Sequence, residues 1–391
     1  MVIGFVIPRV FSVSETFIRS KIKILENLGH EVIIFAKPSK NISNYKTVSN
    51  PSTKGFLFIL LIKILLVIMI LFLRRPKVSY NFLKFEKDDG VTFIKRWKNL
   101  YLNSHILSEK IDWLHFSFAT MAISRENVAI SLSIPMSTSI RGYDVCVYQL
   151  KNPGCYDKLW SKVTKVHSIS KDLVKISEIS SNSHDILYEI IPPAIDINAF
   201  NCSNKIKITN IKNQKVNFLT IARLNWVKGL ESTLEALAII MERGIDFHFN
   251  IIGTGREYER LIFATDQLRL TKYVNFLGDI DHNDVYQFYN AADIYLQYSI
   301  NEGFCNSVLE AQSMGLLTIA SNAGGLTENV IHEKTGWIVK KNSPISLANT
   351  IELVINKSSS ELYKVRKNAI DHIKSNFRIE KQAMQFDKFF N

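Results

Sequence analysis

Strand-length apolar runs alternate with helical patterns along nearly the whole chain, and the two periods rarely mix. In the first half, Val2–Ile7 reads as a strand and Glu15–Leu28 as a helix. A Gly29-His30-Glu31 turn then leads into a second strand, Val32–Ala36. Ile111–Phe116, Met136–Ile140 and Lys165–Ile169 continue the series, with a helix opening at Ser170. Ile190–Ala194 closes it on Pro192-Pro193, which lack the N–H that a ladder needs. The second half restarts the pattern, with strands Asn217–Ile221, His248–Ile252, Val274–Leu277, Ile294–Gln297, Leu317–Ser321 and Gly336–Val339. Helices Gly229–Met241 and Asp284–Asn290 fall between them, and a charged helix follows Gly253-Thr254-Gly255. Such alternation predicts parallel sheets with crossover helices, and a chain of 391 residues suits two such units. The expected division is an N-terminal domain over 1–197, a C-terminal domain over 198–375, and a last helix over 376–391 that packs back on the first domain. Doubly wound units bind ligands in crevices at the carboxyl ends of their strands.

One segment breaks the alternation. Phe56–Leu73 is apolar except for Lys63, and Arg74-Arg75-Pro76-Lys77 follows it. Its length lies at the lower edge of what spans a bilayer, and a lysine at the core of a span costs about 2.5–3.5 kcal/mol. Spanning would also separate residues 1–55 from the strands they need. A helix lying in the membrane interface fits better, with Lys63 snorkelling and Lys54, Arg74, Arg75 and Lys77 meeting anionic headgroups. A helix buried in the domain or facing a partner and a true span are the other possibilities, and the pattern leaves both open.

Charge sharpens that picture. The first 100 residues hold 17 basic and 6 acidic side chains, whereas the remainder holds 31 and 30. A basic end on a neutral body points to an anionic surface, either nucleic acid or the inner leaflet of a membrane. Nucleic acid is disfavoured, because the excess surrounds an apolar helix and lacks an aromatic-basic platform. A composition 47% hydrophobic and 21% charged excludes global disorder. Cys146, Cys155, Cys202 and Cys305 form no C-x-x-C pair, and Met1–Pro8 lacks the basic start of a signal peptide. Reduced thiols and a cytoplasmic location, peripheral to the inner face of the cytoplasmic membrane, are expected.

The candidate chemistry centres on Glu302-Gly-Phe-Cys-Asn-Ser-Val-Leu-Glu310. On a continuous helix these two acids would stand about 80° apart in azimuth and roughly 12 Å apart along the axis, too far for a catalytic pair. A loop Ser299–Phe304 after the strand Ile294–Gln297, with a helix starting near Asn306 or Ser307, would instead place them on either side of a helix N-terminus. That terminus is an anion site. A nucleotide sugar, with its sugar, diphosphate and ribose, matches the layout.

The run Glu302-Gly303-Phe304…Glu310-Ala311…Gly315…Gly324-Gly325…Glu328 resembles the E-x7-E region of retaining GT-B glycosyltransferases of family 4. Arg223-Leu224…Lys228-Gly229 resembles the family's diphosphate-binding Arg/Lys pair, and Gly253-Thr254-Gly255 its G-x-G turn. Ile191-Pro192-Pro193-Ala194-Ile195-Asp196…Phe200 resembles its interdomain signature. The resemblance implies an α/β GT-B fold of two Rossmann-like, doubly wound domains facing each other across a cleft. It implies catalytic roles for Glu302, Arg223 and Lys228, and donor contacts from Gly253, Gly255, Glu310 and the backbone of Phe304, Cys305 and Asn306. Glu302 would touch the transferred sugar and Glu310 the ribose. No cofactor and no metal are implied, only a nucleotide diphosphate sugar as co-substrate.

On the acceptor side, Ser14-Glu15-Thr16-Phe17-Ile18 is similar to a loop of the exopolysaccharide, colanic-acid and capsule subgroup. Ser12-x-x-Glu15 also reads as a capping box. His115-Phe116-Ser117-Phe118-Ala119 matches the subgroup's H-x-H-F-A, with Ser117 in place of the second His. In Ser139-Ile140-Arg141-Gly142-Tyr143-Asp144, Arg141 stands where many relatives have His. Arg141 cannot act as a base, being always charged, but can donate to a sugar or phosphate. Asp144 reads equally as a hydroxyl-binding group or a structural loop carboxylate. The implied reaction moves a hexose from a nucleotide diphosphate sugar to a saccharide on a polyprenyl diphosphate, in bacterial surface polysaccharide synthesis. A sugar-nucleotide epimerase and a non-catalytic subunit of an assembly complex are the alternatives.

Overall fold

The structure is a computed structural model, and it describes residues 1–9, 16–38, 45–180, 186–200, 211–212, 214–281 and 284–391. The chain divides into two compact units. Unit 1 comprises Met1–Ile169, Leu173–Ile191 and Ala383–Asn391, and unit 2 comprises Ser170–Asp172 and Pro192–Gln382. The change of unit at Pro192 falls somewhat before residue 198, because the last strand of the first sheet ends at Ile190 and two prolines follow it.

Unit 1 is built on a seven-stranded sheet of β1 (Val2–Arg9), β2 (Glu31–Lys37), β3 (Thr47–Ser49), β4 (Trp113–Phe116), β5 (Met136–Ile140), β6 (Lys165–Ser168) and β7 (Tyr188–Ile190). The order is β3-β2-β1-β4-β5-β6-β7, and every pairing is parallel. Both faces are covered, which is why Val32–Ala36 is a continuous buried run rather than an alternating one. The core joins Ile3, Phe5 and Ile7 to Ile22 and Leu25 of helix α1 (Thr16–Asn27), and the C-terminal Phe386, Phe389 and Phe390 complete it. Those three aromatics belong to the helix Ile379–Phe390.

Between β3 and β4 three helices are inserted: α2 (Leu57–Arg74), α3 (Pro76–Asp88) and α4 (Phe93–Leu107). The apolar segment is therefore one continuous helix, ended where Pro76 cannot donate and opens α3. It is not buried within its unit. Leu71 is its single buried residue, while Leu57 and Leu65 are 73% and 68% exposed. Helices α3 and α4 and strand β3 had no counterpart among the sequence expectations. Strand β3 has only three residues, and residues 76–107 mix charged and aromatic positions without a clean period.

Unit 2 carries a six-stranded parallel sheet of β8 (Val216–Ile221), β9 (Phe247–Ile252), β10 (Val274–Phe276), β11 (Ile294–Gln297), β12 (Leu317–Ser321) and β13 (Trp337–Val339). Its order is β10-β9-β8-β11-β12-β13, so the winding reverses between β8 and β11. Helices Leu230–Glu242 and Pro344–Ile355 pack together over a core that includes Phe218, Phe247, Phe249 and Trp337. Helix Ser359–Asn376 starts at a capping box in which Ser358 and Glu361 satisfy one another's backbone N–H groups.

Candidate active site

The winding reverses between β8 and β11, the place where doubly wound sheets form their ligand crevice. The loop after β8 carries Arg223 and Lys228; the loop after β11 carries Glu302; the helix Asn306–Ser313 begins beside them. Two glycines hold the neighbouring loop close. A side chain on Gly253 or Gly255 would bring its Cβ within 2.1 Å of the Ala222 or Leu224 carbonyl oxygen respectively. The close approach is locked by Leu224 N donating to Thr254 O at 2.9 Å. Gly253 and Gly255 thus serve first to let two backbones touch under Arg223.

Lys228 ends a short turn, Trp226–Lys228, which Asn225 caps by accepting from Val227 N at 3.2 Å. Its Nζ lies 2.5 Å from Glu302 Oε2, and each side chain is only 14% exposed. Burial opposes the ammonium charge, but the Glu302 carboxylate outweighs it and the Lys228 pKa ends above its ordinary value. Arg223, itself exposed, is near enough to pull that pKa the other way, so two cations share the crevice. Ser299 Oγ adds a longer contact to the same Glu302 oxygen, at 3.3 Å.

Helix Asn306–Ser313 starts at Cys305, and its first-turn N–H groups at Asn306 and Ser307 have no acceptor within the helix. The Cys305 amide is a different matter. It donates to Asn329 Oδ1 at 3.0 Å, while Asn329 Nδ2 donates back to the Cys305 carbonyl at 3.2 Å. This corrects the expectation that Phe304, Cys305 and Asn306 all turn free amides to an anion: the Cys305 amide is already spent on Asn329. The Phe304 ring packs on Phe377, with centroids 5.6 Å apart. Burial, with Glu302 adding to it, pushes the Cys305 thiol up to about 11, so it is an un-ionised packing residue at neutral pH. Glu310 accepts from Tyr289 OH at 2.7 Å, which fixes its carboxylate at the far side of the helix start. Among the described residues, no group of three or more His, Cys, Asp or Glu side chains could hold a metal ion.

In unit 1 the candidate residues separate. Ser14 and Glu15 lie outside the described residues, and Thr16 opens α1. His115 is fully buried. Its Nδ1 meets Ser137 Oγ at 2.7 Å, and its Nε2 meets Lys21 Nζ at 2.9 Å and Ser139 Oγ at 3.1 Å. That corrects its expected acceptor contact, since a covered ring with both nitrogens engaged belongs to the core. Asp144 is likewise the structural carboxylate of the two readings left open. It accepts from Thr120 N and Thr120 Oγ1, each at 3.1 Å, and from Arg141 N at 2.9 Å. Burial raises its pKa to about 6 against those hydrogen bonds. Arg141 stacks its guanidinium 3.8 Å from the Phe17 ring centre, and its buried Nε has no hydrogen-bond partner among the described residues. Burial lowers its pKa to about 10, so it remains a cation at neutral pH.

Residues 203–372 match the family model described as glycosyl transferases group 1. The matched stretch contains Arg223, Lys228, Gly253, Gly255, Glu302 and Glu310. Over 168 residues the chain is 27% identical to the putative colanic acid biosynthesis glycosyltransferase WcaL of Escherichia coli, covering 41% of each chain. Over 159 residues it is 30% identical to the capsular polysaccharide biosynthesis glycosyltransferase CapM of Staphylococcus aureus, covering 40% of this chain and 42% of CapM. The match thus spans about two fifths of the length of these relatives. Among solved structures, a glycosyltransferase from Rickettsia africae is similar with TM-score 0.71 and 19% identity, over 100% of this chain and 97% of that one. Anabaena HepE, solved in complex with UDP and glucose, gives TM-score 0.71 and 16% identity over 100% and 99%. These likenesses establish the fold, GT-B with two Rossmann-like α/β domains.

The matched stretch holds polar residues that the sequence motifs did not flag: Tyr289, Tyr295, Gln297, Ser299 and Asn329. A signal for three of them was available. In a parallel strand covered on both faces, polar side chains at alternate positions, here Tyr295 and Gln297 with Ser299 just beyond, require partners.

Proposed function

We propose that this protein is a retaining glycosyltransferase that moves a hexose from a nucleotide diphosphate sugar to a saccharide on a polyprenyl diphosphate, in bacterial surface polysaccharide synthesis. The observation that carries the reading is the paired Lys228–Glu302 at the winding reversal, with Arg223 beside it and a helix N-terminus next to it. Arg223, Lys228 and the first-turn amides of Asn306 and Ser307 suit a departing diphosphate, where negative charge develops. Glu302 would accept from a hydroxyl of the transferred sugar, and Glu310, steadied by Tyr289, from the ribose. Sugar departure and acceptor attack would take place on one face, with the leaving phosphate taking the acceptor's proton. Arg141 would donate to a phosphate of the lipid-linked acceptor.

Such an acceptor keeps its lipid in the bilayer, and α2 suits attachment to the anionic inner leaflet. Both flanks of α2 are tied to unit 1. Tyr101 OH donates to Ser52 O at 2.6 Å before the helix, and Arg75 Nη2 donates to Glu109 O at 2.9 Å after it. The Phe72 and Trp97 rings, 6.1 Å apart, join α2 to α4. A helix of this length, about 27 Å, could cross the hydrocarbon only by carrying one of those flanks to the far side. The pinned ends favour a helix lying in the interface.

A thermal-shift screen of nucleotide diphosphate sugars, followed by sugar release to water from the one that binds, tests the reading. Lys228→Ala and Glu302→Ala should each abolish that release. Wild-type rates in both variants would overturn the donor-site assignment.

A further inference from the structure

Tyr295, Gln297 and Ser299 are fully buried and point to one side of β11 and its extension. They form an unbroken chain of hydrogen bonds. Tyr295 OH stands 3.2 Å from Gln297 Oε1, Gln297 Nε2 stands 2.8 Å from Ser299 Oγ, and Ser299 Oγ stands 3.3 Å from Glu302 Oε2. At the other end Tyr295 OH lies 2.7 Å from Ser307 Oγ, on the first turn of the helix that carries Glu310.

The carboxylate fixes the direction of the bonds that lead from Gln297 through Ser299 to it. Ionised Glu302 can only accept, so Ser299 must donate to it. The Ser299 oxygen then accepts from the Gln297 amide, which turns Gln297 Oε1 toward Tyr295. Tyr295 has a single proton and three acceptors in reach, Gln297 Oε1, Ser307 Oγ and Ile221 O. An amide oxygen only accepts, so the Tyr295–Gln297 bond runs from the phenol, and Ser307 then donates to the phenol oxygen or to Ile221 O, 3.1 Å away. Lys228 meets the same carboxylate oxygen, Oε2, as Ser299 does. Among the described residues Oε1 takes no hydrogen bond.

We propose that Tyr295, Gln297 and Ser299 are positioning residues that clamp Glu302 by Oε2 and so present Oε1 to the transferred sugar. This rests on the donor-site reading above. The chain holds the carboxylate by one oxygen and in one rotation, so the other oxygen reaches the sugar without reorganising at the moment of transfer.

Ser299→Ala removes one proton donor with almost no change of volume, and Ser299→Thr restores it. Gln297→Met keeps the volume and removes the amide. The measurement is kcat for sugar release from the donor, alongside the affinity for the bare nucleoside diphosphate and the melting temperature. We expect Ser299→Ala and Gln297→Met to lower kcat about tenfold, the effect of one hydrogen bond to a charged group. Affinity for the bare nucleoside diphosphate should hold within about twofold, and Ser299→Thr should keep most of the rate. An unchanged kcat overturns the proposal; so does a parallel loss of nucleotide affinity, which would mark a merely structural role. A wild type that turns over no nucleotide sugar instead sinks the transferase reading. The clamp is then decided by a crystal structure of Ser299→Ala, where a rotated Glu302 carboxylate supports it and an unmoved one overturns it.

Discussion

Lys228 Nζ and Glu302 Oε2 sit 2.5 Å apart, so each neutralises the other. On the proposed function, a diphosphate arriving at Lys228 would compete with Glu302 for the ammonium, and the sugar would meet a carboxylate already aligned. Changing either partner strands the other. We expect Lys228→Met to lower sugar release by about 10²–10³-fold, the scale for losing one preorganised charge donor. Both single variants should be less stable than wild type by about 1–3 kcal/mol. The double variant Lys228→Met/Glu302→Gln should recover part of that loss, because no unpaired charge remains. Urea unfolding of the four proteins checks this, and strict additivity would contradict the pairing.

Gly325 acts through the space its missing side chain leaves and through its backbone N–H. A Cβ there would lie 1.9 Å from the Gly303 carbonyl oxygen, and Gly325 N also donates to Glu302 O at 2.8 Å. Gly325→Ala must push the Glu302 loop away from its neighbour. Overpacking of this kind costs about 1–3 kcal/mol, so we expect a visible drop in melting temperature and near-complete loss of sugar release. A variant as active as wild type would mean that this contact does not hold the loop.

Unit 2 was largely legible in its sequence, because its signals are local. Leu317–Ser321 and Ile294–Gln297 emerge as strands with the boundaries read from the pattern, since unbroken apolar runs between turn residues leave few alternatives. Arg223, Lys228, Glu302 and Glu310 were named from their order in the chain, and the fold brings Arg223, Lys228 and Glu302 together at one winding reversal. What stayed hidden was pairing over distance. Nothing near Cys305 announces that Asn329 occupies its amide, and nothing near Glu310 announces Tyr289. His115 misled for the same reason: its motif is local, whereas its fate is set by Lys21 of α1 and by Ser137 and Ser139 of β5.

That buried cluster should govern stability against pH. Lys21 Nζ lies 2.9 Å from His115 Nε2 and 3.4 Å from His167 Nδ1, under the rings of Phe5, Phe386, Phe389 and Phe390. Burial holds all three bases well below their ordinary pKa values, and their mutual repulsion with Arg141 adds to it. The unfolded chain therefore binds more protons than the native one. For the histidines, stability is full above about 6.5 and is lost as pH falls below it. For Lys21 it climbs up to about 10.4 and declines below. Asp144 opposes them, because its native pKa of about 6 gives stability that is present at low pH and lost as pH rises through that value. We expect Lys21→Met to flatten the stability profile between roughly pH 8 and 10, read from urea unfolding at stepped pH. An unchanged slope would mean that Lys21 stays charged in the native state.

Helix α2 carries the prediction most easily separated from catalysis. Its side chains Leu57, Leu61 and Leu65 are exposed, so polar replacements there leave the core of unit 1 untouched. Each would remove up to about 1.5–3 kcal/mol of burial in an apolar interface, enough for about tenfold or more in partitioning. We expect the triple variant Leu57→Asn/Leu61→Asn/Leu65→Asn to stop sedimenting with phosphatidylglycerol vesicles while releasing sugar from a water-soluble donor at the wild-type rate. Wild-type protein should bind such vesicles far better than phosphatidylcholine ones, and salt should weaken that binding, because Lys54, Lys63, Arg74, Arg75 and Lys77 act across a screened surface. An alkaline carbonate wash should release the protein from membranes. Protein that resists the wash would instead span, and that outcome would require the Tyr101–Ser52 or Arg75–Glu109 bond to break.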